Sequence, residues 1–498
     1  MGGPLSSRSE SCTSAASRHR GLTTRSDERL LLRWGVAVRV PPLPLVFIGV
    51  PCVLTLASLA IFVACSSRPG PGNPASPDGS TAVVTNPDAP PGPRCTPIDI
   101  APGTGKKFCE LPGTDATALG VPPEFCVREF TTTPVVEARV LRFAPNGDLF
   151  VAAPSMSTPG GAQDGPGAIV VLPDDDGDGR ADSIVTYAGP SPRNGSTCTL
   201  LDADPNNFAC VHGLLFNGGY LYFTRSNEVR RFPYAAGQRT APPATSELVA
   251  KLGGENIEDV RWTHTLEQTK SGSIYVSRGR TDSSGCSIEQ MTRGAVFALH
   301  VEANAPMPLT PELVADGFRN PMYMRCAPNS CGECYASELT GDNWDGVGGR
   351  EKLALLEKKG ESWGYPCCVA KDVPGPAATA ETSCAAVGRE LVSIPLHDTP
   401  FGFDFERGVF PAPYTHGLFV ALHGVRTSFG GTGVVFLKTD PGSLRPTGEA
   451  KMFVDGFGKG TSARATDVAF APDGRLFVAD DTTGKIYWVA PRTLAAQH

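Results

Sequence analysis

The sequence predicts an all-β fold, a six-bladed β-propeller, and three observations lead there. A short hairpin phrase recurs six times, glycine and proline make up about a fifth of the chain, and long helical periodicity is missing. Each phrase is an apolar strand, a turn marked by Gly, Asn or Asp, and a second apolar-aromatic strand, which is the pattern of a β-hairpin. In chain order they are VLRFAPNGDLFVAA from Val140, HGLLFNGGYLYFT from His212, TLEQTKSGSIYVS from Thr265, PMYMRCAPNSCGECYASE from Pro321, FDFERGVFPAPYTHGLFVALHG from Phe403 and DVAFAPDGRLFVADD from Asp467. A hairpin cannot bury both its faces alone. Repeated hairpins therefore pack on one another, and radial packing into blades does so without long open edges. A short stretch from Arg350 to Lys359 is the one helix candidate, too little for an α/β fold. The 498 residues exceed an ordinary domain, but a propeller accommodates them as one.

Ahead of residues 127–495, which hold the repeats, three segments read differently. Residues 1–65 are an N-terminal extension and export signal: Arg33 and Arg39 precede an apolar run from Leu43 to Ala64 that ends in Phe62-Val63-Ala64-Cys65-Ser66-Ser67. A thiol after small residues at the end of such a run is the pattern of a lipobox, so Cys65 is the expected site of lipidation and the new N-terminus. Residues 66–94, rich in Ser, Pro and Gly, read as a flexible tether. Residues 95–126 carry three cysteines and few apolar runs, and read as a disulfide-stapled lead-in. The expected location is the periplasmic or outer face of a bacterial membrane, with Ser66 compatible with the outer membrane.

The net charge of −7 hides a more acidic remainder, because residues 1–65 hold seven Arg against three acidic residues. This balance suggests no nucleic-acid partner. Of 15 cysteines, twelve follow Cys65, an even number that suits disulfides in an oxidising compartment.

Several phrases resemble the soluble quinoprotein glucose and sorbosone dehydrogenases. They are Gly317-Phe318-Arg319-Asn320-Pro321, Lys359-Gly360-Glu361-Ser362-Trp363-Gly364-Tyr365-Pro366, Arg464-Ala465-Thr466-Asp467-Val468 and Gly120-Val121-Pro122-Pro123-Glu124-Phe125, with Asp473-Gly474 and Asp480-Asp481. The resemblance runs in the right order from about residue 120 to 490. It implies a propeller that holds pyrroloquinoline quinone (PQQ) with calcium over its central channel. An aldose is oxidised at its anomeric carbon, hydride passes to the quinone, and a further electron acceptor is then needed. Arg319, Asn320 and Arg464 match the family's cofactor-contacting positions.

The resemblance also marks departures. Aligning Leu266 to Val276, with Gly272 at the turn, puts the family's catalytic His at Arg261, while His264 falls where relatives carry Arg. A guanidinium cannot serve as a general base near neutral pH, so the role falls to His264 or is lost; three residues along a strand also reverse the face. The calcium-contacting Gly-Pro step expected after Glu338 is replaced by Leu339-Thr340-Gly341, followed by Asp342-Asn343-Trp344-Asp345. Two functions remain open: a quinone-dependent aldose dehydrogenase, and a catalytically degenerate propeller that binds a carbohydrate or protein partner.

Other motifs have readings of their own. Asp174, Asp176, Asp178 and Asp182 stand at positions 1, 3, 5 and 9 of a loop with Gly179 at position 6, a spacing of oxygen ligands that suits a structural calcium ion; a solvated acidic turn is the plainer reading. Cys326, Cys331, Cys334, Cys367 and Cys368 offer thiols for zinc or, after export, for disulfides. Gly360-Glu361-Ser362-Trp363-Gly364 has a hydrolase-elbow spacing, but Pro366 spoils the helix that would follow it. His212 and His423 stand at strand ends, where they either line the channel or pack within it.

Overall fold

Each of the six phrases forms the first two strands of a four-stranded antiparallel unit. The computed structural model describes residues 82–87, 89, 91–100, 107–154, 167–191, 207–208, 210–225, 228–253, 260–261, 263–280, 285–286, 294–302, 305–342, 344, 348–357, 359–424, 432–458 and 463–492. The signal, Cys65 and most of the tether lie outside the described residues. Within them the fold is all-β, broken only by a 3-10 turn at Phe108–Glu110.

Unit one comprises Val140–Phe143, Leu149–Ala153, Gly167–Leu172 and Val185–Ser191. Unit two comprises Val211–Asn217, Tyr220–Arg225, Glu228–Pro233 and Glu247–Lys251. Unit three is Leu266–Gln268, Ile274–Arg280, Ala295–Leu299 and Glu312–Asp316, with Val260–Arg261 added on Ile274–Arg280. Unit four is Asn320–Cys326, Cys334–Leu339, Arg350–Leu355 and Val392–Pro395. Unit five is Pro400–Phe405, Leu418–Leu422, Gly433–Thr439 and Pro446–Val454. Unit six takes Ala465–Phe470, Leu476–Asp480 and Ile486–Pro491 from the chain's end and Phe125–Glu129 from far upstream, so the lead-in boundary at residue 126 falls inside a strand.

The first strands of successive units touch in a closed circuit, with unit six returning to unit one. Apolar side chains fill the spaces between units. Leu141, Val151 and Val170 of unit one meet Phe477 and Trp488 of unit six, and Val229 and Val249 of unit two meet Ile274 and Val276 of unit three. Burying each such side chain is worth about 1.5–3 kcal/mol relative to exposure, so the units hold each other. The hairpin turns need glycine where the backbone turns left-handed: Gly474 has φ +92°, and a Cβ there would also lie 2.6 Å from Val409.

One expectation is overturned. Arg350–Leu355 is a strand, not a helix, paired on both edges. Its residues are buried on both faces, Leu353 and Ala354 completely, so the apolar run carries no alternation to reveal a strand.

Disulfides join Cys95–Cys331, Cys109–Cys126, Cys286–Cys367, Cys326–Cys334 and Cys368–Cys384, and Cys210 is disulfide-bonded as well. All five thiols considered for zinc are therefore sulfur–sulfur bonded. Ser362 lies on the two-residue strand Glu361–Ser362, and no helix follows it among the described residues, so the hydrolase-elbow geometry is not formed there.

Candidate functional site

Because the innermost strands run side by side, their beginnings gather at one end of the channel and their ends at the other. At the first end, His423, just after a strand of unit five, faces Asp481, just after a strand of unit six. Its Nε2 lies 3.1 and 3.2 Å from the two carboxylate oxygens. Arg139 reaches the same carboxylate at 3.1 Å and Glu137 at 3.3 Å. The His423 ring stacks on Phe401 with centroids 4.2 Å apart and planes 7° from parallel, so its orientation is set by both packing and charge.

Electrostatics select the protonation states. Burial pushes the His423 imidazole below its ordinary pKa against the pull of Asp481, so it is neutral near pH 7. Burial also acts on Asp481 in the raising direction, but Arg139 and His423 outweigh it and hold the carboxyl below its usual range. A neutral imidazole donating through Nε2 to a carboxylate leaves its lone pair on Nδ1, which has no hydrogen-bond partner among the described residues. Arg464 is partly exposed beside this pair, and its positive charge opposes protonation of His423. Its backbone N–H donates to Asp480 (3.0 Å) and its carbonyl accepts from Thr466, but its guanidinium has no partner among the described residues.

The residues picked from the sequence fall in several places. His264 is completely buried; its carbonyl accepts from Thr224 Oγ1 (2.7 Å) and lies 3.1 Å from His212 Nδ1. A ring without exposed surface offers no direct contact to a bound molecule. Arg261 pairs through its backbone with Gly279, and its side chain lies outside the described part. His212 is also completely buried, and burial, with Arg139 and His264 nearby, pushes its pKa down to about 3.

Arg319 and Asn320 begin unit four, and both are buried. Their backbone N–H groups donate to Glu338, whose pKa burial pushes up to about 7. Arg319 donates from Nη1 to the Thr340 carbonyl (2.9 Å) and from Nη2 to Asp342 (2.7 Å). Asn320 accepts from Thr263 Oγ1 at 3.1 Å. The Thr340 carbonyl and the Asp342 carboxylate, in the segment that replaces the expected calcium-contacting step, thus each accept from the Arg319 guanidinium. The Arg319 guanidinium is the positive charge that these oxygens meet among the described residues.

The donor set does fit a polycarboxylate cofactor such as PQQ. Arg464 offers an unpartnered guanidinium at the mouth. The Asp342 side chain that Arg319 engages is 69% exposed, so a cofactor carboxylate can replace it without leaving a buried charge unpaired.

Away from the channel, Asp174, Asp176 and Asp178 bring one carboxylate oxygen each within 4.8 Å of one another. Asp182 instead accepts the Asp175 N–H at 2.6 Å. Gly179 sits at φ +86°, and burial, with Asp178 and Asp176 nearby, raises the Asp174 pKa even though Arg475 opposes it.

Arg139 carried no signal in the sequence beyond standing just ahead of the first repeat. Asp481 did belong to a noted phrase, and His423 to a strand end, but their partnership spans two units and appears only in the folded chain.

No protein-family model matches the chain, and no curated protein matches it in sequence. Solved structures do share its fold. A calcium-bound structure of a Trichoderma reesei carbohydrate-active enzyme of family AA12 superposes with a TM-score of 0.57 at 17% identity, covering 77% of this chain and 98% of that one. The holo form of the PQQ domain of pyranose dehydrogenase from Coprinopsis cinerea gives 0.53 at 16% identity, over 75% and 97%. A glucose dehydrogenase gives 0.51 at 14% identity, over 74% and 99%. At such identities the likeness is one of fold.

Proposed function

We propose that this chain is a six-bladed propeller that oxidises an aldose or related sugar at its anomeric carbon, with PQQ accepting the hydride and a separate electron acceptor reoxidising it. The six units and their closed circuit of inner strands support the blade count. The observation that carries the function is the neutral His423, oriented by Asp481 beside the unpartnered guanidinium of Arg464.

In this reading Arg464 holds a cofactor carboxylate, and Arg319 joins it by exchanging Asp342 for the cofactor. The bound quinone supplies the two-electron acceptor. Nδ1 of His423 takes the anomeric hydroxyl proton, and the resulting imidazolium is stabilised by Asp481, which Arg139 keeps ionised. Phe401 fixes the plane of the ring. No step is assigned to a calcium ion at this mouth. Calcium belongs instead to the loop of Asp174, Asp176 and Asp178, as a structural ion.

A second reading, a propeller that has lost catalysis and binds a carbohydrate or protein partner, is favoured by the burial of His264 and by Arg319, whose guanidinium is already engaged by Thr340 and Asp342. One titration separates the two. Saturable binding of PQQ by the full chain, followed by the cofactor's absorbance and weakened in Arg464→Gln, supports the dehydrogenase. Absence of binding at micromolar cofactor leaves the binding propeller.

We also read the chain as exported and lipid-anchored through Cys65 on the periplasmic or outer face of a bacterial membrane. Its support is the signal sequence and the disulfide-rich interior, which suits an oxidising compartment. Mass spectrometry of the mature N-terminus, with and without a Cys65→Ala substitution, tests it.

A further inference from the structure

At the opposite end of the channel, where the innermost strands finish, lies a cavity of about 420 Å³. That volume is within the range of small-molecule sites, about 300–1,000 Å³. Its walls include Phe143, Phe216 and Phe470, and its polar lining includes Arg325, Arg407 and Asp404. Phe470 N–H donates to Asp404 (2.8 Å), and Arg142, a further lining residue, donates to the Leu214 and Leu266 carbonyls, so ends of five inner strands are stitched together here.

Hydrogen-bond accounting shows an imbalance. The carboxylates are satisfied by the backbone: Asp404 accepts N–H groups of Phe405 and Phe470, and Asp467 those of Leu141 and Val468. Glu267 is taken by Arg142 at 3.0 Å. The other two guanidinium groups are left with donors to spare. Arg325, only 3% exposed, makes one hydrogen bond, from Nη1 to the Met324 carbonyl. Its ion-pair distances to Asp467 and Glu267, 3.6 and 3.9 Å, are too long for hydrogen bonds, and its Nη2 has no hydrogen-bond partner among the described residues. Arg407 stands 3.8 Å from Asp404, and its buried Nε also has no hydrogen-bond partner among the described residues. Those two atoms have no accessible surface, so a ligand meets the other parts of the Arg325 and Arg407 side chains that line the cavity.

We propose that this second cavity binds a small organic carboxylate, its anionic end between Arg325 and Arg407 and its flat apolar body against the phenylalanine walls. A planar carboxylate presents acceptors that match guanidinium donors, and the aromatic walls favour a ring or short apolar chain over a fully hydrated ion. The site is independent of the sugar-oxidising mouth and of the function proposed for it.

Benzoate is the probe, titrated calorimetrically into the full chain, with benzamide as its uncharged counterpart. Saturable benzoate binding, at least about tenfold tighter than benzamide and weakened at least about tenfold by Arg407→Gln, supports the site; each factor of ten is about 1.4 kcal/mol. Arg464→Gln, at the other mouth, leaves the Arg407-dependent part of benzoate binding unchanged. Should Arg407→Gln fail to fold, the benzoate-to-benzamide ratio on the unsubstituted chain still decides. Equal binding of the two probes, no benzoate binding up to millimolar concentration, or loss of it in Arg464→Gln overturns the proposal.

Discussion

The two ends of the channel handle buried charge in opposite ways. At the end where the inner strands begin, Asp481 is shared by Arg139, His423 and Thr482, and Arg464, a cation left open among the described residues, is partly exposed. At the end where they finish, Arg325 and Arg407 are held near carboxylates that the backbone has already satisfied. A saturated network fixes the position and protonation state of a side chain, which suits chemistry on a reacting group. Spare donors around a cavity suit the capture of a ligand. The comparison shows that buried charge alone does not mark a site, and that the count of unmet donors says which kind of site it is.

The sharpest break in this contrast is at His423. His423→Asn is expected to lower sugar oxidation by about 10²–10⁴-fold, the usual contribution of a positioned acid–base group, while PQQ binding persists. Steady-state turnover with a dye acceptor and a parallel cofactor titration check it; a full-rate variant would remove His423 from the proposed chemistry. Next is Arg139→Met, which leaves Glu137 and Asp481 buried without their shared cation. It is expected to cost about 3–5 kcal/mol of stability by chemical denaturation, as for a broken buried ion pair.

Asp467 provides a test through pH. Burial pushes its pKa up to about 7 against Arg325, so between about pH 4 and 7 the folded chain binds more protons here than the unfolded chain, and this group's contribution to stability falls as pH rises. Asp467→Asn lacks that fall. Its melting temperature relative to the parent should therefore improve from pH 4 to pH 8; a constant difference would mean the carboxyl is not held protonated.

The smallest expected effect lies outside the channel. Chelation with EGTA is expected to lower the melting temperature by a few degrees, consistent with loss of a weakly held structural ion. Asp176→Asn should remove that response, and Asp182→Asn should keep it, because Asp182 spends an oxygen on the Asp175 N–H.

The hairpins were legible because each combines an apolar pair of strands with a turn glycine, within 13 to 22 residues. The Arg350–Leu355 strand was not, since burial on both faces erased the alternation that distinguishes strand from helix. At the candidate site the limit was distance along the chain. His423 and Asp481 are 58 residues apart and meet only because unit five lies against unit six. Arg319 was found through its phrase, yet its side-chain partners, Thr340 and Asp342, depend on how the chain turns after the neighbouring strand.

The strand Phe125–Glu129, laid against Ile486–Pro491, also sets a timetable. About 360 residues separate the two partners, so at typical rates of synthesis roughly 20 to 70 seconds pass between their emergence from a ribosome. Throughout that interval the upstream strand waits without its mate, and unit one without the apolar wall of unit six. The last strand to be made is the clasp, and a chain stopped short of Ile486 is an open necklace whose earlier beads are all present.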